Sequence, residues 1–473
     1  MITGDLGSLI CANFTHEPTL QQLNVIKMWS EFLLSRDDNE IFLLTGYAGT
    51  GKTSLLGALV NVLKQLKQPV VLLAPTGRAA KVFSLYADAP AYTIHKKIYR
   101  QKSLMEMDSF QANVNLHKHT LFIVDEASMI ANEGLAGSMF GTGRLLDDLI
   151  HFVYSCEGCR LLMVGDVAQL PPIGEEESPA LMPEVLEGYN LHVRQATLTQ
   201  VVRQVGESGI LWNATRLRSL LQDGELLEFP KMRVEGFPDV HVVPGEELLE
   251  VLQDSYYRCG QDETIVITRS NKRANIFNQG IRGRILGYEE ELTCGDLVMV
   301  SKNNYFYKLN EEDGASFIAN GDTAVVRRFR NERSFYGFRF ADVTLQFPDY
   351  GNTEVEGTVL LDTLTSEAPS LTRAQQEQLF QAIWEDYPEI GNKRDRMKKI
   401  KEDIYYNALQ IKYSYAVTCH KAQGGQWQHV FIDQGYVTEE MLSPDYFRWL
   451  YTAITRATHQ VYLINWPKAQ LTE

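Results

Sequence analysis

Gly46-Tyr47-Ala48-Gly49-Thr50-Gly51-Lys52-Thr53 fits the pattern G-x-x-x-x-G-K-S/T, directly after the apolar run Ile41 to Thr45 and before a helical run from Ser54 to Lys64. Strand, glycine-rich turn and helix in that order leave a chain few folds to choose from. The glycines let the backbone turn tightly, so that its N–H groups and the positive end of the following helix surround phosphate oxygens. Gly46, Gly49, Thr50 and Gly51 supply this cradle. Lys52 reaches the β- and γ-phosphates, and Thr53 holds Mg²⁺. ATP and Mg²⁺ are the expected ligands.

The neighbouring runs extend the pattern into an α/β fold. Val70 to Ala74, Leu121 to Asp125 and Leu161 to Gly165 are apolar throughout and alternate with helical stretches, which predicts a parallel sheet covered on both faces. Ile210, Leu211, Ala214, Leu217, Leu220 and Leu221 recur at helical spacing between Glu207 and Gln222. Strand-like runs return at Thr264 to Thr268, Tyr415 to Thr418, Val430 to Asp433 and Val461 to Ile464, so a second α/β layer is expected from pieces far apart in sequence. Residues 286 to 362 differ, with short alternating segments broken by Gly and Asn, as in a small antiparallel barrel. Residues 370 to 410 turn polar and helical, and 286 to 410 together form an insertion. A length of 473 residues with 44% hydrophobic content allows about three domains.

Two further strand ends carry chemistry. Leu121-Phe122-Ile123-Val124-Asp125-Glu126 has the form of a Walker B element, in which Asp125 binds Mg²⁺ and Glu126 orients or deprotonates the attacking water. Leu162 to Pro172 ends a third strand, and Gln169 lies just beyond it, an amide able to sense the γ-phosphate or position water. Arg203 and Arg456 fall in the second α/β unit. On chemistry alone each reads first as a surface salt bridge, although a guanidinium brought across a cleft stabilises phosphoryl-transfer charge.

Charge and cysteines exclude some classes. Lys plus Arg 45 against Asp plus Glu 60 leaves a net charge of −15, which argues against a generally basic nucleic-acid coat. Local bunches of basic residues at 269–284, 327–333 and 393–401 read equally well as solvated faces or as a groove. Six scattered cysteines suggest reduced thiols, and Cys156-x-x-Cys159 lacks the second pair of a zinc site. No run reaches the 18 or more apolar residues of a membrane helix, and the start of the chain lacks the pattern of a secretory signal, so a cytoplasmic protein without a membrane partner is expected.

Taken in order, these segments resemble the motif series of superfamily 1 helicases, specifically the RecD-like and Dda-like 5′-to-3′ DNA helicases. The likeness runs from Gln22 through Gly46 to Thr53, Ala74-Pro75-Thr76-Gly77-Arg78, Thr93-Ile94-His95, Asp125-Glu126, Gly165 to Pro172 and Arg203. It closes with Thr418-Cys419-His420-Lys421-Ala422-Gln423-Gly424 and Tyr451 to Arg456. The resemblance implies two RecA-like P-loop motor domains with ATP between them: residues 1–190, then 191–285 together with 411–473. An SH3-like barrel and helical tower at 286–410 interrupt the second, with Asn320-Gly321-Asp322 as the barrel's N-G-D/Q element. Residues 96–119 become a strand-separating pin, with Tyr99 and Phe110 as aromatic candidates that equally suit the core.

By the same resemblance Gln22 reads adenine, Arg203 and Arg456 become transition-state contacts, and Thr76, Arg78, His95, Thr418, His420 and Lys421 contact single-stranded DNA. Thr and backbone groups grip phosphates, His faces stack on bases, and Lys adds counterion release. Single-stranded and tailed duplex DNA are the implied partners, together with single-stranded-DNA-binding, replication or repair proteins. After Gln423-Gly424 the family often places Ser-Glu or Met-Ser, where this chain has Gly425-Gln426-Trp427. No stretch before residue 14 resembles the long N-terminal region of larger RecD-like proteins, so the shorter Dda-like layout is the nearer one. An RNA-stimulated helicase and a non-motor P-loop ATPase or kinase are the competing readings, distinguished by whether DNA, RNA or neither stimulates ATP turnover.

Overall fold

The computed structural model describes residues 2–14, 16–101, 110–133, 141–202, 208–309 and 317–472. The first α/β unit contains β1 (Glu40–Gly46), β2 (Val70–Ala74) and β3 (Ala91–Thr93). A short antiparallel hairpin follows, of β4 (Tyr99–Gln101) and β5 (Phe110–Ala112), then β6 (Leu121–Val124), β7 (Arg160–Gly165) and β8 (His192–Leu198). Among the described residues the sheet order is β3-β2-β6-β7-β1-β8, every pairing parallel. The apolar runs fold as this sheet because both faces are covered. On one face Trp29 and Phe32 pack edge to face on Phe42 in one cluster with the P-loop helix (Lys52–Gln65), and on the other Phe122 meets Phe152. β8 pairs with β1 as far as Leu198, so this sheet extends past residue 190, where sequence put its limit. Its polar alternation, His192-Val193-Arg194-Gln195, is that of an edge strand.

The second unit has sheet order β16-β10-β17-β18-β9, again parallel, from β9 (Val240–Val243), β10 (Thr264–Thr268), β16 (Ala416–Thr418), β17 (Trp427–Asp433) and β18 (Ala457–Ile464). Between β10 and β16 the chain leaves to build a closed barrel of β11 (Leu297–Val300), β12 (Thr323–Phe335), β13 (Phe338–Phe347), β14 (Thr353–Leu360) and β15 (Leu409–Tyr413). β15 seals it by pairing antiparallel with β11 and parallel with β14, and therefore straddles the expected limit at residue 410. Helices Arg373–Glu385 and Lys393–Lys401 stand over one end, where Leu379, Ile383 and Ile400 pack on Phe338 and Phe340. This is the two-sheet α/β architecture with a barrel and helical tower that the motif order implied.

The hairpin β4–β5 lies in the expected pin segment, whose residues 102–109 are outside the described ones. Tyr99 belongs to the core: its buried hydroxyl donates to Asp148 Oδ2 at 2.6 Å. The Phe110 side chain lies outside the described residues. Cys156 and Cys159 donate to the carbonyls of Asn115 and His117, as two ordinary thiols. Among the described residues no helix is long and apolar enough to cross a membrane.

Candidate functional site

β1, β6 and β7 are neighbours and run the same way, so the P-loop, Asp125-Glu126 and the Asp166–Gln169 turn emerge at one edge of the first sheet. Ligands of parallel sheets bind at this carboxyl edge. In the P-loop Gly49 and Gly51 take φ of 75° and 83°, which side chains disfavour, and Thr50 Oγ donates to the Tyr47 carbonyl at 2.8 Å. Lys52 Nζ donates to the carbonyls of Gly46 and Tyr47 at 2.6 and 2.9 Å, so the ammonium lies along the cradle. Thr53 follows at the exposed start of the helix.

Asp125 accepts from the Tyr86 hydroxyl on one oxygen and from the Glu126 amide on the other at 2.8 Å. Burial, and then the charge of Glu126, raise its pKa above the ordinary carboxylate value. The hydrogen bonds from Tyr86 and the Glu126 amide, and after them the charge of Lys52, oppose that rise; two carboxylates in low dielectric are an environment that a hard cation relieves, and Thr53 and Asp125 offer the oxygen donors that Mg²⁺ takes. Asp166 is buried beside them, its pKa raised by burial and lowered by Lys52.

The second unit closes over this edge. Tyr451 from helix Pro444–Ile454 donates to Asp166 Oδ2 at 2.7 Å and accepts from the P-loop amide of Ala48 at 2.8 Å. Leu170 is held on both sides, its N–H donating to Thr452 Oγ at 2.9 Å and its carbonyl accepting from Gln423 at 2.7 Å. Arg456 is 4% exposed and brings Nη1 to 3.6 Å from Glu126 Oε1. It therefore bridges the two units instead of making the surface salt bridge that chemistry alone suggested. Gln169 is buried in the same seam, and its Oε1 has no hydrogen-bond partner among the described residues. Arg203 lies outside the described residues.

Gln22 departs from expectation. Its Oε1 accepts from the Thr19 amide at 2.9 Å and its Nε2 donates to the Thr50 carbonyl at 3.0 Å, so the amide caps its own helix (Leu20–Leu34) and braces the P-loop. In this conformation no part of it is offered to a base.

The residues expected to touch DNA fall in both units. Thr76 caps helix Gly77–Ala87 by accepting from the Ala79 amide at 3.2 Å. Arg78 lies 4.1 Å over the Trp427 ring of the second unit. His95 is held by burial at a pKa of about 4 and packs 5.7 Å from the Tyr99 ring. Thr418 precedes the short helix Cys419–Ala422 with no side-chain cap bond, and that helix carries His420 and Lys421. Burial lowers both, Lys421 to about 8.

Tyr451 and Asp166 sit inside segments whose sequence stood out, and their hydrogen bond is legible only once both units are placed. Tyr86 carries no sequence signal at all.

The comparisons follow the same division. A family model described as an AAA domain matches residues 31–227, and one described as a UvrD-like helicase C-terminal domain matches residues 413–464. The chain is 30% identical over 429 residues to the ATP-dependent RecD2 DNA helicase of Deinococcus radiodurans, covering 89% of this chain and 46% of that protein. It is 22% identical over 460 residues to the ATP-dependent DNA helicase dda of Enterobacteria phage T4, covering 89% and 93%. It is 24% identical over 482 residues to the uncharacterised protein MJ1519 of Methanocaldococcus jannaschii, covering 93% and 38%. The chain thus spans under half of two of these relatives and nearly all of the third.

Proposed function

We propose, for a chain that belongs to the RecD-like and Dda-like superfamily 1 helicases, that it hydrolyses ATP to move 5′ to 3′ along single-stranded DNA and to unwind duplex ahead of it. The observation that carries the reading is the seam: Arg456 of one α/β unit reaches Glu126 of the other, while Tyr451 ties the P-loop to Asp166. A single-domain switch or kinase has no use for a second sheet whose arginine enters the site.

In this reading the two sheets are the motor domains and the barrel with its helices is their insertion. The P-loop amides and Lys52 bind the phosphates, Glu126 orients the attacking water, Gln169 senses the γ-phosphate, and Arg456, with Arg203, stabilises charge on the transferred group. Mg²⁺, held by Thr53 and Asp125, neutralises phosphate charge when bound. Closing and opening of the seam alternates the grip on the strand between Thr76, Arg78 and His95 on one unit and Thr418, His420 and Lys421 on the other. Polarity follows the family. A cytoplasmic place and work alongside replication, repair or single-strand-binding proteins go with the same reading.

Steady-state ATPase without nucleic acid, with single-stranded DNA and with single-stranded RNA, each at two salt concentrations, tests this. Strong, salt-sensitive stimulation by DNA is the expected result, followed by preferential unwinding of 5′-tailed duplexes. Stimulation by RNA alone would move the substrate to RNA, and turnover indifferent to both would return the chain to the switch or kinase class.

A further inference from the structure

The segment Gly424-Gly425-Gln426-Trp427 lies between the two expected working sites and touches both. On one side it meets the strand-facing helix of the first unit. The Arg78 guanidinium lies 4.1 Å above the Trp427 ring and donates from Nη2 to the Gln426 carbonyl at 3.2 Å, and among the described residues no carboxylate is within ion-pair distance of it. Gly424, at φ 72°, is so close that a Cβ there would stand 2.8 Å from that of Ala79 and 3.2 Å from Thr76 Oγ. On the other side the segment meets Arg456. The Trp427 amide donates to the Arg456 carbonyl at 3.0 Å, and Arg456 Nη1 donates to the Gly425 carbonyl at 3.4 Å. Gly425 is also tightly held, since a Cβ there would lie 2.4 Å from the Trp427 ring and 3.0 Å from Arg78 Nε.

We propose that Trp427 is a positioning residue: it holds Arg78 off the strand path when no strand is bound, and strand binding, by taking Arg78 away, frees Gly425 and Gln426 to release Arg456 for ATP turnover. The physical order of the contacts supports this. A guanidinium whose direct contacts are one aromatic face and one neutral carbonyl, with Asp349, Glu263 and Asp262 acting on it only from beyond ion-pair distance, exchanges those contacts for a phosphate, with which it makes charge-assisted, bidentate hydrogen bonds. Once Arg78 leaves, the Gln426 carbonyl loses its donor and the loop loses its anchor on the first unit. The neighbouring Gly425 carbonyl is the one of the two holding Arg456, beside that of Thr452 on its own helix, that belongs to this loop. The inference rests on the helicase reading above and adds how the strand is sensed.

The test uses the full chain with Trp427→Leu, which removes the π face but keeps apolar bulk, and Trp427→Phe, which keeps a ring. ATP turnover is measured with and without saturating oligo(dT), together with oligo(dT) affinity. Trp427→Leu is expected to raise turnover without oligonucleotide about fivefold and leave the stimulated rate within about twofold, so that stimulation collapses, and to tighten binding roughly threefold. Trp427→Phe should restore most of the wild-type ratio. Arg78→Gln, which keeps the Trp427 ring, should share the raised unstimulated rate while binding oligonucleotide more weakly. A wild-type stimulation ratio in both Trp427→Leu and Arg78→Gln would overturn the proposal while leaving the helicase intact. So would a uniform loss of rate that Trp427→Phe fails to relieve, which is the signature of packing alone. A wild-type chain unmoved by any polynucleotide would remove the helicase reading and this one with it.

Discussion

At the scale of single residues, the chemistry depends on which groups are held and which are left available. Arg456 contacts Glu126 and the carbonyls of Thr452 and Gly425, across the seam from the P-loop, so Arg456→Ala is expected to cut kcat by about 10³ while shifting ATP affinity little. Equal losses in both, measured by ATPase and nucleotide titration, would count against a transition-state role. Lys52→Ala is expected to abolish turnover in a chain that still folds. Lys421 gives a pH signature. Burial pulls it down to about 8, so the free protein loses this charge as pH rises through 8, with Lys412 beside it similarly lowered. A bound phosphate favours the protonated form, so strand affinity should be flat below about pH 7 and fall by up to tenfold per unit above 8. Anisotropy with labelled oligo(dT) reads this, and Lys421→Arg should carry the flat region past pH 9. The P-loop and the Asp125-Glu126 pair were legible because their spacing is local. The capping role of Gln22 was legible too, since Thr19-Leu20-Gln21-Gln22 spells a capping box. The meeting of Arg78 with Trp427 was not legible, for no local pattern records a contact between residues so far apart.

At the scale of elements, the barrel is fastened to the helix that carries Arg78. Gly77 opens that helix, and a Cβ there would sit 2.4 Å from the Tyr350 hydroxyl and 2.6 Å from Asp322 Oδ1. Tyr350 donates to Asp322 at 2.8 Å, Lys96 lies 3.9 Å over the Tyr350 ring, and Lys81 pairs with Asp349 at 2.9 Å. Gly77→Ala is therefore expected to cost about 1–3 kcal/mol, seen as a lower Tm, and Tyr350→Phe to recover part of that loss in the double variant. Additive losses would mean that the helix and the barrel do not meet through this tyrosine. Asn320-Gly321-Asp322 stood out in the sequence, yet nothing in it indicated that its aspartate supports a tyrosine against another domain. The long buried strands were readable from their apolar runs. β3, β8 and β9 were not, being short or half-polar edge strands, and the partners of β8 and β9 lie far along the chain.

At the scale of the molecule, a net charge of −15 repels a polyanion, so the proposed strand binding would rest on a local groove alone. With about two to four phosphates neutralised, log affinity for oligo(dT) should fall against log salt with a slope of about −1.4 to −3. A slope near zero would remove the strand groove as drawn. The order of the strands has a consequence for how such a chain is made. A ribosome that has released everything through Leu198 has supplied the whole first sheet, and the barrel is complete once Tyr413 is out. Among the described residues β9 pairs only with β18, and β10 only with β16 and β17, so the second sheet stays open until residues 457–464 emerge. During synthesis a finished first domain and a finished barrel flank a half-made second domain with its apolar β10 uncovered, and that interval is when the nascent chain most needs shelter from aggregation.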